Sequence, residues 1–152
     1  MSAATPTAEA LVQPWRSIDR WYARFHAPLA VLALVLTFLP YYGQRSPDTR
    51  QHGNLWQEVI RSGSAIDLFA LVLMLLIVLL LALAALERLP AATLLVLAGV
   101  ALVLGLMLVV PPGYRERPPF TQAGVVDVVL LFTVTALALA QAVHGLVLKA
   151  TR

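Results

Sequence analysis

The apolar run over residues 65–86 most constrains what this chain can fold into. It reads AIDLFALVLMLLIVLLLALAAL and contains a single charged residue, Asp67. A helix needs roughly 20 consecutive apolar residues to cross the hydrocarbon core of a bilayer, and this run has that length. Runs of this kind are too long for an ordinary globular core. The segment therefore predicts a membrane-spanning helix.

Three further apolar segments predict membrane spans at about 27–42, 91–110 and 124–148. Residues 87–90 leave room only for a tight turn, so the two helices that they join are predicted to be antiparallel neighbours. We expect an all-α fold, an integral membrane four-helix bundle, over residues 14–148. A disordered tail at 1–13 and a short tail at 149–152 would flank it, and we expect no cleaved signal peptide.

The composition agrees with lipid as the solvent of these helices. Charged residues make up 12% of the chain, whereas soluble domains usually contain roughly 25%. The mean hydropathy is +0.82. These values exclude an ordinary soluble enzyme.

Residues that bind metals or act as nucleophiles are scarce. The chain has no cysteine, and its three histidines, His26, His52 and His144, fall in separate segments. Thiol chemistry and iron–sulfur clusters need cysteine, and zinc sites place their ligands at short spacing. We therefore expect no cofactor, no metal site and no catalytic residue.

The basic residues predict membrane partners rather than nucleic acid. The net charge is +3 and the isoelectric point is about 9.8, but the basic residues are thinly spread and flank the apolar runs. Positive charge in those places is the topology signal of a membrane protein. The expected partners are the lipid bilayer and either other membrane subunits or further copies of the chain.

Residues 14–26 have the pattern of an amphipathic helix that lies in the headgroup layer. Basic residues recur there every four positions, and aromatic residues cover the other side. The predicted membrane-surface contacts are Trp15, Arg16, Arg20, Trp21 and Arg24. The alternative is that this segment simply begins the first span with a charged face.

Lys and Arg beside the spans predict the orientation. With both termini inside, six lie on the cytoplasmic side and five lie outside. The arginines ahead of the first span add to this difference because the first helix usually dominates topology. We expect a multi-pass protein of the cell membrane with both termini in the cytoplasm. The excess of arginine over lysine, ten to one, suggests a GC-rich bacterial genome.

The loop that follows the first span contains a predicted short helix. Asn54 and Gln57 have the spacing of a capping pair at its start. The helix would rest on the membrane surface or offer a docking face for a partner. One of its faces would carry four apolar residues, Leu55, Trp56, Val59 and Ile60.

Two aspartates interrupt the apolar runs and are the most informative residues of the sequence. Asp67 and Asp127 each lie a few positions inside a predicted helix, where the positive end of the helix dipole favours an acid. A carboxylate at membrane depth is also a candidate for ion or proton handling. A third interpretation is an ion pair with a loop arginine, either Arg61 or Arg115.

These aspartates are 60 positions apart, and several other pairs match at the same offset, among them Ser64 with Gly124 and Leu71 with Leu131. The pattern predicts two helical hairpins related by a pseudo-twofold axis along the membrane normal. Chance matching between segments rich in Leu, Ala and Val is the alternative.

Small and polar residues share one side of the last span at the helical repeat of about 100° per residue. They are Gly124, Asp127, Thr135, Ala138, Gln141, Ala142 and Gly145. Such a stripe predicts a packing surface between helices. The functional alternative is a polar path from Asp127 through Thr135 to Gln141.

The leading functional hypothesis is a non-catalytic integral membrane protein, an accessory, structural or assembly subunit of a larger membrane complex. The alternative is a small oligomeric transporter or channel, linked to protons or cations, that uses Asp67 and Asp127. A membrane enzyme acting on lipid-linked substrates is a third hypothesis, although no known catalytic spacing links its candidate residues.

Overall fold

The computed structural model describes residues 8–43, 53–86, 89–110 and 119–150. This part of the chain forms helices and no strand, which confirms the prediction of an all-α fold. The helices are α1 (Ala8–Leu36), α2 (Leu55–Ser62), α3 (Ala65–Ala85), α4 (Ala91–Val109) and α5 (Gln122–Ala150).

Helix α1 joins the predicted amphipathic segment and the predicted first span in one continuous element. It begins at Ala8, within the segment 1–13 for which the sequence predicts a disordered tail. It ends at Leu36, several residues before the predicted end of the span. Pro40 accounts for the early end, since proline lacks a backbone N–H and disfavours a helical conformation of the residue before it.

The predicted short helix in the first loop is confirmed as α2. The Asn54 side chain accepts a hydrogen bond from the Gln57 backbone N–H, and the Gln57 side chain accepts one from the Asn54 N–H. Gly63 ends the helix in the left-handed conformation, with φ of 60°, which glycine adopts without steric cost. Ser64 then caps α3 through its Oγ, which accepts from the Ile66 N–H.

Helices α3, α4 and α5 agree within a few residues with the spans predicted from the sequence. The α5 helix is capped by Thr121, whose backbone oxygen accepts from the Val125 N–H and whose Oγ1 accepts from the Gly124 N–H. Residues 87 and 88, in the predicted tight turn, lie outside the described residues.

Three helices within the described ranges are long and apolar enough to cross a membrane, namely α3, α4 and residues Gln122–Val147 of α5. They are compatible with a multi-pass membrane protein. Helix α1 is not among them, so a span at 27–42 stays a prediction.

Each of the four long helices contacts two others. Helix α1 packs against α3 and α5, and α4 packs against the same two helices, while α2 rests on α3. Small residues on α1, Ala30 and Ala33, are buried and allow close approach. The outer surface is apolar, with Val31, Val72 and Val129 each more than half exposed.

A short backbone pairing fixes one end of the molecule. Tyr42 and Phe120 form an isolated antiparallel bridge, and the Thr121 N–H donates to the Tyr41 oxygen at 3.0 Å. The Tyr42 hydroxyl donates to the Leu108 oxygen at 2.9 Å, which ties the pairing to the end of α4. We call this region the Tyr41 end of the molecule.

Candidate functional site

The two aspartates singled out from the sequence lie in different environments. Asp67 is in the first turn of α3, where it is partly exposed and accepts a hydrogen bond from the Ser62 hydroxyl. A carboxylate in this position is stabilised by the helix dipole and by its serine partner. Helix-end stabilisation therefore accounts for Asp67.

Asp127 lies about one turn further from the start of α5 than Asp67 lies from the start of α3. It follows the Thr121 cap by six residues, whereas Asp67 follows the Ser64 cap by three. Its exposed fraction is 0%, and neither carboxyl oxygen has a hydrogen-bond partner among the described residues. Arg115, a candidate ion-pair partner from the loop that precedes α5, lies outside the described residues. The dipole effect fades within the first turn, so the position of Asp127 needs another explanation.

Another buried polar group at this end of the molecule is the Tyr41 hydroxyl. It has no hydrogen-bond partner among the described residues. Gly124, one turn before Asp127, lies against the Tyr41 backbone carbonyl. Thr121 holds the same segment through its Oγ1, which donates to the Pro40 oxygen. The segment that carries Tyr41 therefore packs against the start of α5, one turn before the buried Asp127.

A second polar contact lies at the opposite end of α5. His26 is fully buried, and its Nε2 lies 2.7 Å from the Gln141 Oε1, which joins α1 to α5. The His26 Nδ1 has no partner among the described residues. Next to this pair, the Tyr22 ring meets the His144 ring edge to face, with centroids 6.4 Å apart. Sequence reasoning had identified Gln141 but not its histidine partner.

The polar stripe of α5 faces two different helices. Thr135 donates to the Leu131 oxygen at 2.9 Å, and its Oγ1 lies 3.4 Å from the Ala98 oxygen of α4. Gln141 contacts α1 instead, and it lies 14 positions from Asp127, or about 21 Å along the helix. The structure therefore does not bring Asp127, Thr135 and Gln141 together at one place.

The apolar face predicted for α2 is divided between internal contacts and solvent-accessible positions. Leu55 packs against the core, and the Trp56 indole N–H donates to the Thr37 Oγ1 at 3.1 Å while its ring stacks on Phe38. Val59 is partly buried, and Ile60 is 82% exposed. Ile60 is thus the member of this set most available to a partner or to the membrane surface.

Aromatic residues of α1 form a surface near the His26 pair. Trp21 and Phe25 are exposed and stacked, with ring centroids 6.3 Å apart. With Tyr22 and Leu137 they line an apolar groove of about 250 Å³.

The predicted membrane-surface contacts of α1 are only partly within the described side chains. Arg20, Trp21 and Arg24 are exposed, as a contact with headgroups requires. Trp15 and Arg16 lie outside the described side chains.

Several residues of the site carried little signal in the sequence. Tyr41 follows a proline at the end of an apolar run, where aromatic residues of the membrane interface are common. Thr121 precedes Gly124 at the spacing of a helix cap, which could have placed the start of α5. In the described part of the chain, no three His, Asp or Glu side chains are arranged to hold a metal ion.

Comparison with known proteins finds no family that matches the sequence, no similar curated protein and no similar solved structure.

Proposed function

We propose that the protein is a non-catalytic integral membrane protein that serves as an accessory or assembly subunit of a larger membrane complex. In this proposal the four long helices cross the cell membrane as a bundle, with both termini in the cytoplasm. The C-terminal half of α1 would be the fourth span, since Val31, Leu34 and Val35 turn apolar surface outward.

The observation that carries the proposal is how the polar side chains of the helices are used. Thr135 bonds to the backbone of its own helix and approaches α4, and Gln141 bonds to His26 on α1. Contacts of this kind hold membrane helices together. The outer surface is covered by apolar side chains, which suits contact with lipid and with other membrane helices.

We propose Ile60 as the partner contact outside the membrane spans. Its 82% exposure places a large apolar side chain in the open on a helix whose other large apolar residues, Leu55 and Trp56, pack inward. An isolated exposed residue of this size gains stability when a partner covers it.

Purification from native membranes tests this proposal. The tagged full chain, extracted in mild detergent, should bring down a defined membrane protein in fixed stoichiometry, measured by native mass spectrometry. Ile60→Asp should lose that protein because it puts a charge into an apolar contact, and Ile60→Leu should keep it. A wild-type chain that runs as a lone monomer would contradict the proposal.

A second candidate function is an oligomeric transporter or channel, linked to protons or cations, in which Asp127 is the ion site. The buried carboxyl group without a partner favours it, since acids at membrane depth mark ion paths and proton relays. Asp67 has the lesser claim because its carboxylate is bonded to Ser62 at the helix start.

Flux through proteoliposomes tests the second candidate. Asp127→Asn should abolish acidification of the vesicle interior, followed with a pH-sensitive dye, because the amide cannot exchange a proton. Asp67→Asn is the matched control and should retain most of the flux. Equal flux in the wild type and in Asp127→Asn vesicles would rule out this mechanism.

A further inference from the structure

The Asp127 carboxyl group lies where an ionised acid is hardest to maintain. It is fully buried in the second turn of α5, and neither oxygen accepts a hydrogen bond from the described residues. Moving an unpaired carboxylate out of water costs far more than moving the neutral acid, so such a group takes up a proton unless a cation pairs with it. The packing around Asp127 decides between these two states.

No described group that faces Asp127 can supply a positive charge. Helix α4, which packs along α5, contains no titratable residue. On α1 the titratable residues shown in contact with α5 are Tyr22, which meets His144, and His26, which is bonded to Gln141 about 21 Å from Asp127 along α5. The segment that leads to the Tyr41 end contributes the Tyr41 phenol and the hydroxyl of Thr121, whose oxygen donates to the Pro40 carbonyl.

The set of oxygen atoms at this site also fits a proton better than a metal cation. Hard cations take six or more oxygen ligands, including carboxylates, carbonyls and water. Here the carboxyl group and the Tyr41 hydroxyl are the side-chain oxygens without partners. The Tyr41 carbonyl accepts from the Thr121 N–H and lies against Gly124. A neutral carboxylic acid, in contrast, needs only a single acceptor for its O–H.

We propose that Asp127 is a proton-binding site, held as the neutral carboxylic acid at neutral pH. The inference rests on neither proposed function, since a subunit that moves no ions can hold this proton. Loss of the proton site and loss of flux are therefore separate outcomes.

The protonated state makes Asp127 a selective target for hydrophobic carbodiimides. The acid transfers its proton to a carbodiimide nitrogen while its oxygen adds to the central carbon, and no other reactant is needed.

Infrared difference spectroscopy of the full chain in lipid bilayers tests the protonation state directly. The spectrum of the wild type minus that of Asp127→Asn should show the C=O stretch of a protonated acid from mildly acidic to mildly alkaline pH. A carboxylate band in place of the acid band would overturn the proposal and indicate pairing with a cation or a basic group.

Labelling with dicyclohexylcarbodiimide provides the second measurement, with Asp67 as a matched control in the same chain. Peptide mass spectrometry should find the adduct at Asp127 and little at Asp67, which is partly exposed and bonded to Ser62. The adduct should disappear in Asp127→Asn. Labelling of Asp67 in preference to Asp127 would overturn the assignment of the protonated acid.

Discussion

Gly124→Ala is expected to destabilise the folded protein by about 1–3 kcal/mol, the usual cost of forcing extra atoms into a well-packed site. A Cβ at this position would overlap the Tyr41 carbonyl and press on the Phe120 ring. The carbonyl belongs to the backbone pairing at the Tyr41 end, so it cannot move aside as a flexible side chain would. The effect should appear as a lower midpoint in unfolding titrations with a denaturing detergent, followed by circular dichroism.

Two glycines of α4 are matched controls for this prediction. Gly99 has open space where a Cβ would stand, and Gly105 has its nearest neighbour, the Leu131 Cβ, at 3.5 Å, which is an ordinary contact. Alanine at Gly99 should stabilise slightly, because glycine costs about 1 kcal/mol relative to alanine inside a helix. Equal midpoints for Gly124→Ala and Gly99→Ala would contradict the close approach of α5 to Tyr41.

The positions of the helices could largely be predicted from the sequence because they depend on local signals. The apolar runs define α3, α4 and α5, and the Asn54 and Gln57 pair predicts the start of α2. Helix α1 ends at Leu36, whereas the apolar run of the sequence continues past Pro40. Backbone chemistry, rather than hydropathy, ends that helix at Leu36.

The candidate site was less predictable because it depends on contacts between distant segments. Asp67 and Asp127 look equivalent in sequence, yet one lies beside its cap and the other lies a full turn deeper and is fully buried. His26 pairs with a residue 115 positions away, a separation that no periodicity reveals. A stripe of small and polar residues predicts that a helix face packs, but it does not predict which neighbour each residue contacts.

The different environments of the two aspartates also bear on the proposed repeat. Asp67 and Asp127 are 60 positions apart in the sequence. The residues that cap the two helices, Ser64 and Thr121, are only 57 positions apart. The acids therefore do not occupy the same position relative to the start of their helices. The relation between the two hairpins stays a prediction.

Gln141→Leu is expected to destabilise the protein by about 1–2 kcal/mol, because it removes the only described partner of the buried His26 ring. The Nδ1 atom of that ring already lacks a partner among the described residues, so the substitution would leave both nitrogens buried without one. Removing one member of a buried pair costs about 1–3 kcal/mol. Measured hydrogen bonds between membrane helices contribute about 0.6 kcal/mol on average and about 1.7 kcal/mol at most. The expected loss of stability therefore lies in the lower part of the range for buried pairs.

A double-mutant cycle measured by the same unfolding titration separates this hydrogen bond from simple packing. The double variant His26→Leu with Gln141→Leu should recover part of the lost stability, since replacing both partners of a buried pair with apolar groups is nearly neutral. Gln122→Leu is the matched control on α5, where the glutamine is exposed, and it should change the midpoint little. Strictly additive losses in the double variant would show that His26 and Gln141 are not coupled across the contact between α1 and α5.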